Sequence, residues 1–98
     1  MKHINTKIIR DAARILRCLG HAQRLRIVEC LEQEELPVLE LMRSLRLDQV
    51  TVSKHLAVLR SQGLVRSKGK GSYRYYSISD MKVLKVLHCV RQNGDDRK

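Results

Sequence analysis

Gln49, Thr51, Ser53 and Lys54 crowd hydrogen-bonding side chains into one short stretch. A glutamine amide can pair with adenine through two bonds, hydroxyls serve several bases, and a lysine suits guanine or phosphate. His55 follows at once, suited to a phosphate contact or to a hydrogen bond at the edge of a core. Arg60 adds a cation further along the same segment. Just downstream lies R-S-K-G-K-G-S-Y-R-Y-Y, where Arg66, Lys68, Lys70 and Arg74 suit phosphate or minor-groove contact. The chemistry these residues offer is recognition of a nucleic-acid duplex rather than bond making. The chain has no paired-carboxylate pocket, no nucleophile with a base in motif context and no glycine-rich phosphate loop. Neither an enzyme nor a bound cofactor is expected.

These side chains need a helix and a hairpin to hold them. Asp48 is a good N-cap, because its carboxylate accepts from the free amides of a first helical turn. The helix it opens runs from about Gln49 to Gln62, and Gly63 stops it. Val52, Leu56 and Leu59 share one face of that helix and anchor it, which turns the polar residues of its first half elsewhere. Leu64–Ser67 and Ser72–Ile78 read as strands, with Lys68-Gly69-Lys70-Gly71 as the turn between them. On that reading the two lysines reach freely from the turn. Tyr73, Tyr75 and Tyr76 are the only tyrosines, and they pack on the sheet or stack on bases.

The remaining segments are helical. Ile8, Ala12, Ile15, Leu16 and Leu19 place an amphipathic stripe on Thr6–Leu19, ended by Gly20. A second helix spans about Ala22–Glu32 with an arc of Leu25, Ile27, Val28, Cys30 and Leu31. Pro37 fits an extended step or a first helical turn, and a short helix follows over about Val38–Leu45. Ser79 or Asp80 caps a last helix to about Gln92, and residues Asn93–Lys98 form a polar, frayed tail. The fold class is mainly α with a small β-hairpin. Its order, α-α-(β)-α-α-β-β-α, is that of a winged helix-turn-helix.

Composition agrees with a polyanion partner. The chain has 98 residues, 20 Lys and Arg against 10 Asp and Glu, and a formal net charge of +10. No apolar run approaches the roughly 20 residues that span a bilayer, so no membrane partner is expected. The amino terminus lacks an uninterrupted apolar signal core, and the expected location is the cytoplasm. Cys18, Cys30 and Cys89 are too far apart in sequence for a C-x-x-C site, and a reducing cytosol keeps them as thiols.

The motifs together resemble the arsenical-repressor (ArsR/SmtB) family of bacterial winged-helix repressors. The matching runs are L-G-H-A-Q-R-L-R-I-V at Leu19–Val28, E-L-P-V-L-E-L at Glu35–Leu41, T-V-S-K-H-L at Thr51–Leu56, L-R-S-Q-G-L-V at Leu59–Val65 and Y-Y-S-I at Tyr75–Ile78. They cover Leu19–Ile78 almost without a gap. The resemblance implies a homodimer, paired through its first and last helices, that binds a near-palindromic duplex DNA operator and leaves it when an inducer binds. The last helix agrees independently. Met81, Leu84 and Leu87 form one apolar stripe and Val83, Val86 and Val90 another, and the second wants a partner. Residues 1–98 thus read as one DNA-binding domain, with dimerisation helices at 6–19 and 80–92, the helix-turn-helix at 38–62 and the wing at 64–78.

The sensing residues of the family are where this chain departs. Arsenic-sensing members carry cysteines in an E-L-C-V-C-E-L run, and here Pro37 and Leu39 stand at those places. Zinc-sensing members open the last helix with Asp-x-His, and here Asp80 is followed by Lys82. Persulfide-sensing members place one cysteine where this chain has Glu29. No metal site is therefore expected from the known patterns. Cys18 and Cys89 are the remaining candidates for sensing. Cys18 follows Arg14 by one turn, off the centre of its stripe. Cys89 follows Lys85 by one turn, and an ammonium favours the reactive thiolate. Three readings stay open: a disulfide or persulfide switch, a thiophilic ion held with His88 or His21, and plain core packing. Cys30 is expected buried and inert, and His3 has no assigned role. A winged-helix module that binds RNA or protein without an operator is the alternative to a repressor.

Overall fold

The computed structural model describes residues 2–95, with side chains described through residue 92. Five helices and three short strands follow one another: α1 Thr6–Leu19, α2 Ala22–Gln33, β1 Leu36–Pro37, α3 Val38–Leu45, α4 Gln49–Ser61, β2 Val65–Lys70, β3 Tyr73–Ile78 and α5 Lys82–Asp95. The strands form one antiparallel sheet in the order β1-β3-β2. The last helix runs past its expected end at Gln92, and residues 96–98 of the expected polar tail lie outside the described residues.

Local chemistry sets the helix boundaries. The side chain of Asn5 accepts from the Lys7 amide at 2.7 Å and opens α1. The Asp48 carboxylate accepts from the Thr51 amide at 2.7 Å and opens α4. Gly63 closes α4 with φ 73°, its amide reaching Arg60 O while the Leu64 amide reaches Leu59 O, both at 3.0 Å. That paired closure satisfies two carbonyls a helix end otherwise leaves open. At the end of α3 the same left-handed step falls to Arg46, φ 56°, and Leu47 bonds back to Met42 O at 3.2 Å. Arg46, Leu47 and Asp48 alone then separate the two helices.

The hairpin differs from its expected shape. β2 extends to Lys70 and pairs it with Tyr73, so the loop is Gly71-Ser72 and Lys68 and Lys70 lie within the strand. Gly71 has φ 62°, the backbone that a two-residue hairpin loop demands at its first position. The Gly-Lys-Gly pattern resembles a turn, but Gly69 is an ordinary strand residue paired with Arg74.

The core is aliphatic and joins all the helices. Ile27, Val28, Leu41, Val52, Leu59, Leu64 and Val83 are fully buried, and Leu56 is 1 % exposed. The core covers only the second half of α1, so the expected stripe is corrected there. Ile15, Cys18 and Leu19 are buried, while Ile8, Ala12 and Leu16 stand in the open. In α5, Val83 and Leu87 are buried together, which crosses the two expected stripes, and Met81 and Val90 remain exposed. Side chains from other helices finish the packing. Arg14 Nη1 donates to the Gln62 carbonyl at the end of α4 at 2.7 Å, and Arg24 Nη1 donates to the Cys18 carbonyl near the end of α1 at 3.0 Å. Arg91 pins α5 to α2 through Glu32 at 3.0 Å. Leu56→Ala empties a fully enclosed site and is expected to cost about 2–5 kcal/mol, measured as a shift in the urea unfolding midpoint.

Candidate nucleic-acid interface

Burying Val52, Leu56 and Leu59 orients every other residue of α4. Gln49, Val50, Ser53, Lys54, Ala57 and Arg60 are exposed, and Thr51 and His55 are half-buried at the margins. Of the side chains expected to read bases, Gln49, Ser53 and Lys54 therefore stand open to solvent together. Thr51 sits back, with its amide engaged by Asp48. Hydrogen bonding by that amide holds the Asp48 carboxyl below its ordinary value. Val50, 64 % exposed, belongs to the same outward face. Its apolar character hides it from a search for polar contacts, although helical spacing alone turns it away from the anchoring stripe.

His55 faces sideways, toward α2. Its Nδ1 accepts from Arg24 Nε at 3.3 Å, and its ring meets that of His21 edge-on at 4.5 Å between centroids. Arg24 thus links the end of α1, the start of α2 and the middle of α4. Burial, then the charges of His21 and Arg24, hold His55 below its ordinary value of 6.5.

The wing puts its cations on two sides. Successive strand residues face opposite ways, so Arg66, Lys68 and Lys70 share the outer side, while Arg74 takes the side of Ser67 and Tyr76. Arg74 lines a cleft of about 380 Å³ between wing and helix-turn-helix, and Gln49 lines it too. The Arg74 guanidinium also donates to Ser67 Oγ at 3.4 Å. Lys68 is exposed. Lys70 is not the free arm that the sequence suggested. It pairs with Glu35, just before β1, and its ammonium lies 5.3 Å from the Tyr75 ring centroid. The Glu35 carboxyl is held below its ordinary range by this pairing. No sequence signal links two residues so far apart in the chain.

All three cysteines are free thiols in unlike surroundings. Cys18 is 6 % exposed and packs in the core, not off the centre of its stripe as expected. Ile15 and Leu19, on the same face of α1, are buried with it. Cys30 is half-buried rather than buried, because Ile27, Val28 and Leu31 take the centre of the α2 arc. Burial, then the nearby Glu29 carboxylate, pushes its thiol up. Cys89 is exposed on α5. Among the described residues, no group of three His, Cys, Asp or Glu side chains is placed to hold a metal ion. Among them, too, no helix is long and apolar enough to cross a membrane.

A two-helix unit with an outward second helix, flanked by a basic three-stranded wing, defines a winged helix-turn-helix protein. Residues 21–67 match the family described as "Bacterial regulatory protein, arsR family". The transcriptional repressor PagR of Bacillus anthracis is 38 % identical over 87 residues, covering 85 % of this chain and 87 % of PagR. The solved structure of HlyU from Vibrio cholerae superposes with a TM-score of 0.83 at 31 % identity, covering 90 % of this chain and 96 % of that one. The homodimeric winged helix-turn-helix DNA-binding domain Mb0332 from Mycobacterium bovis superposes with a TM-score of 0.79 at 26 % identity, covering 98 % and 92 %. The chain belongs to the arsR family of bacterial regulatory proteins, and is a DNA-binding transcriptional regulator rather than an enzyme.

Because His55 is depressed in the fold, the unfolded chain takes up its proton first as pH falls. Stability present above about pH 6.5 is therefore lost on the acid side, before the carboxylates titrate. His55→Gln keeps an acceptor for Arg24 and has no such proton. Its thermal midpoint is expected to fall less than that of the wild type between about pH 7.5 and about pH 5.5, the range where an unperturbed histidine titrates.

Proposed function

We propose that the protein is a transcriptional repressor that binds a near-palindromic operator as a homodimer in the cytoplasm. The first half of α4 enters the major groove. Gln49, Ser53 and Lys54 meet base edges there, with Thr51 at their margin and His55 steadying the helix through its bond to Arg24. Arg60, Lys68 and Arg74 take backbone phosphates, and Lys70 adds charge from its place beside Glu35. The observation that carries this reading is the outward polar face of α4, held opposite three buried side chains and next to the wing. The sign of regulation follows the similarity to PagR, a repressor.

Dimer formation is supported by the apolar residues the fold leaves uncovered. Ile4, Ile8, Ile9 and Leu16 on and before α1, with Met81 and Val90 around α5, are 49–63 % exposed. So much open apolar surface on two terminal helices marks an interface, and the similar Mb0332 domain is homodimeric. For the input we favour a thiol. Cys89 is exposed, with Lys85 also exposed one turn earlier. A bridge from Cys89 to Cys18 requires Cys18 to leave the core.

Ser53→Ala with Lys54→Ala is expected to weaken operator binding while sedimentation still reports the dimer. Lys68→Ala should instead lower the slope of log affinity against log salt by about 2, as one phosphate contact is lost from each subunit of the dimer. Unchanged affinity in the double variant sinks the placement of the reading helix. Equal binding to the chain's own promoter and to unrelated duplex favours an RNA- or protein-binding module instead. For the thiols, Cys89 is expected to react first with an aromatic disulfide, Cys30 later and Cys18 only on unfolding. Cys89→Ser should bind operator normally and ignore polysulfide or peroxide. A normal response in that variant removes the thiol input.

A further inference from the structure

We propose that Val50 reads the methyl group of a thymine in each half of the operator. The proposal rests on the placement of α4 in the major groove and adds the identity of one base that the polar residues do not determine. It starts from an anomaly of exposure. Most of the large apolar side chains left open lie on or beside α1 and α5, the faces set aside for a second copy. Val50 is 64 % exposed and sits on α4, away from both.

A single exposed valine is ordinary on a protein surface. Its position makes this one informative. At about 100° per residue, Val50 lies roughly 150° around α4 from the middle of the Val52–Leu56–Leu59 stripe. It therefore points almost straight away from the core, in the first turn, the part of a reading helix that reaches furthest into a groove. Gln49 precedes it, and Ser53 and Lys54 follow on the same outward side, all exposed. The residue at the prow of a polar reading face is thus the one without a hydrogen-bonding group.

The major groove has one apolar feature to match it. Thymine carries a C5 methyl, whereas the other bases present donors and acceptors there. A valine side chain is branched at Cβ and held near one rotamer in a helix, so its two methyls are presented with little freedom left to lose. Against thymine they bury a methyl group. Against the amino group of cytosine they leave a donor without a partner, so the preference gains from both sides.

The test uses duplexes that the full-length protein itself selects from a random pool. Each thymine is replaced in turn by uracil, which deletes only the methyl. Wild-type protein is expected to lose about fourfold in affinity at one such position per half-site, the worth of one buried methyl-sized group. Val50→Ala, an exposed change that leaves the helical circular dichroism intact, is expected to bind the thymine and uracil duplexes equally. If every uracil replacement affects wild type and Val50→Ala alike, the proposal is overturned while the groove placement of α4 stands. If the pool yields no preferred sequence, the groove placement fails and the proposal fails with it.

Discussion

The molecule turns on how α4 is seated. Three side chains at spacings of four and three, Val52, Leu56 and Leu59, bind it to the core. Once they are buried, the helix has no rotational freedom, and the outward placement of Val50, Ser53 and Lys54 follows from geometry, while Gln49 is exposed at the open first turn. The remaining freedom, tilt and sliding, is taken up by polar contacts at the far end and the middle of the helix. Arg14 holds the carbonyl of Gln62 at the far end, and Arg24 holds His55 from the side. A reading helix needs placement to a fraction of an ångström, because base-edge hydrogen bonds tolerate little error. The apolar anchor and the arginine braces supply it without spending any outward-facing residue.

The charge of the chain is accordingly divided between two tasks. Arg14, Arg24, Lys70 and Lys82 are engaged with Asp11, His55, Glu35 and Asp80 inside the molecule or along its surface. Their positive charge remains, but their geometry serves the fold. Lys54, Arg60 and Lys68 are exposed around the reading helix and wing, and among the described residues their side chains have no hydrogen bond or ion pair. A net charge of +10 draws the protein to a polyanion from a distance, while these uncommitted side chains are the ones able to close on phosphate.

Much of this was legible before any coordinates, and the reasons are local. Gly20, Asp48 and Gly63 punctuate helices through backbone chemistry that depends on near neighbours, so the bounds of α1, α3 and α4 came out within a residue. The errors fall where distant partners decide. Lys68-Gly69-Lys70-Gly71 has the composition of a turn, yet pairing of Val65 with Ile78 sets a register that moves the loop to Gly71-Ser72. The Lys70–Glu35 pair joins the wing to the residue just before β1, and neither segment carries a pattern that announces it. The burial of Cys18 and the half-burial of Cys30 depend on which helices lie opposite, which periodicity within one helix does not reveal. The outward position of Val50 follows from helical spacing, but its apolar side chain carries no hydrogen-bonding signal for base contact.

The knuckle at Arg46–Asp48 constrains how this protein can change over generations. It joins α3 to α4 through a left-handed residue and a capping aspartate, with nothing to spare. One amino acid gained or lost within α4, ahead of its buried stripe, would swing the outward face by about 100° and leave it reading nothing. On the proposed placement of α4, a new operator is reached by exchanging side chains at fixed positions, and a length change is tolerated at the amino terminus or in the wing loop before it is tolerated here.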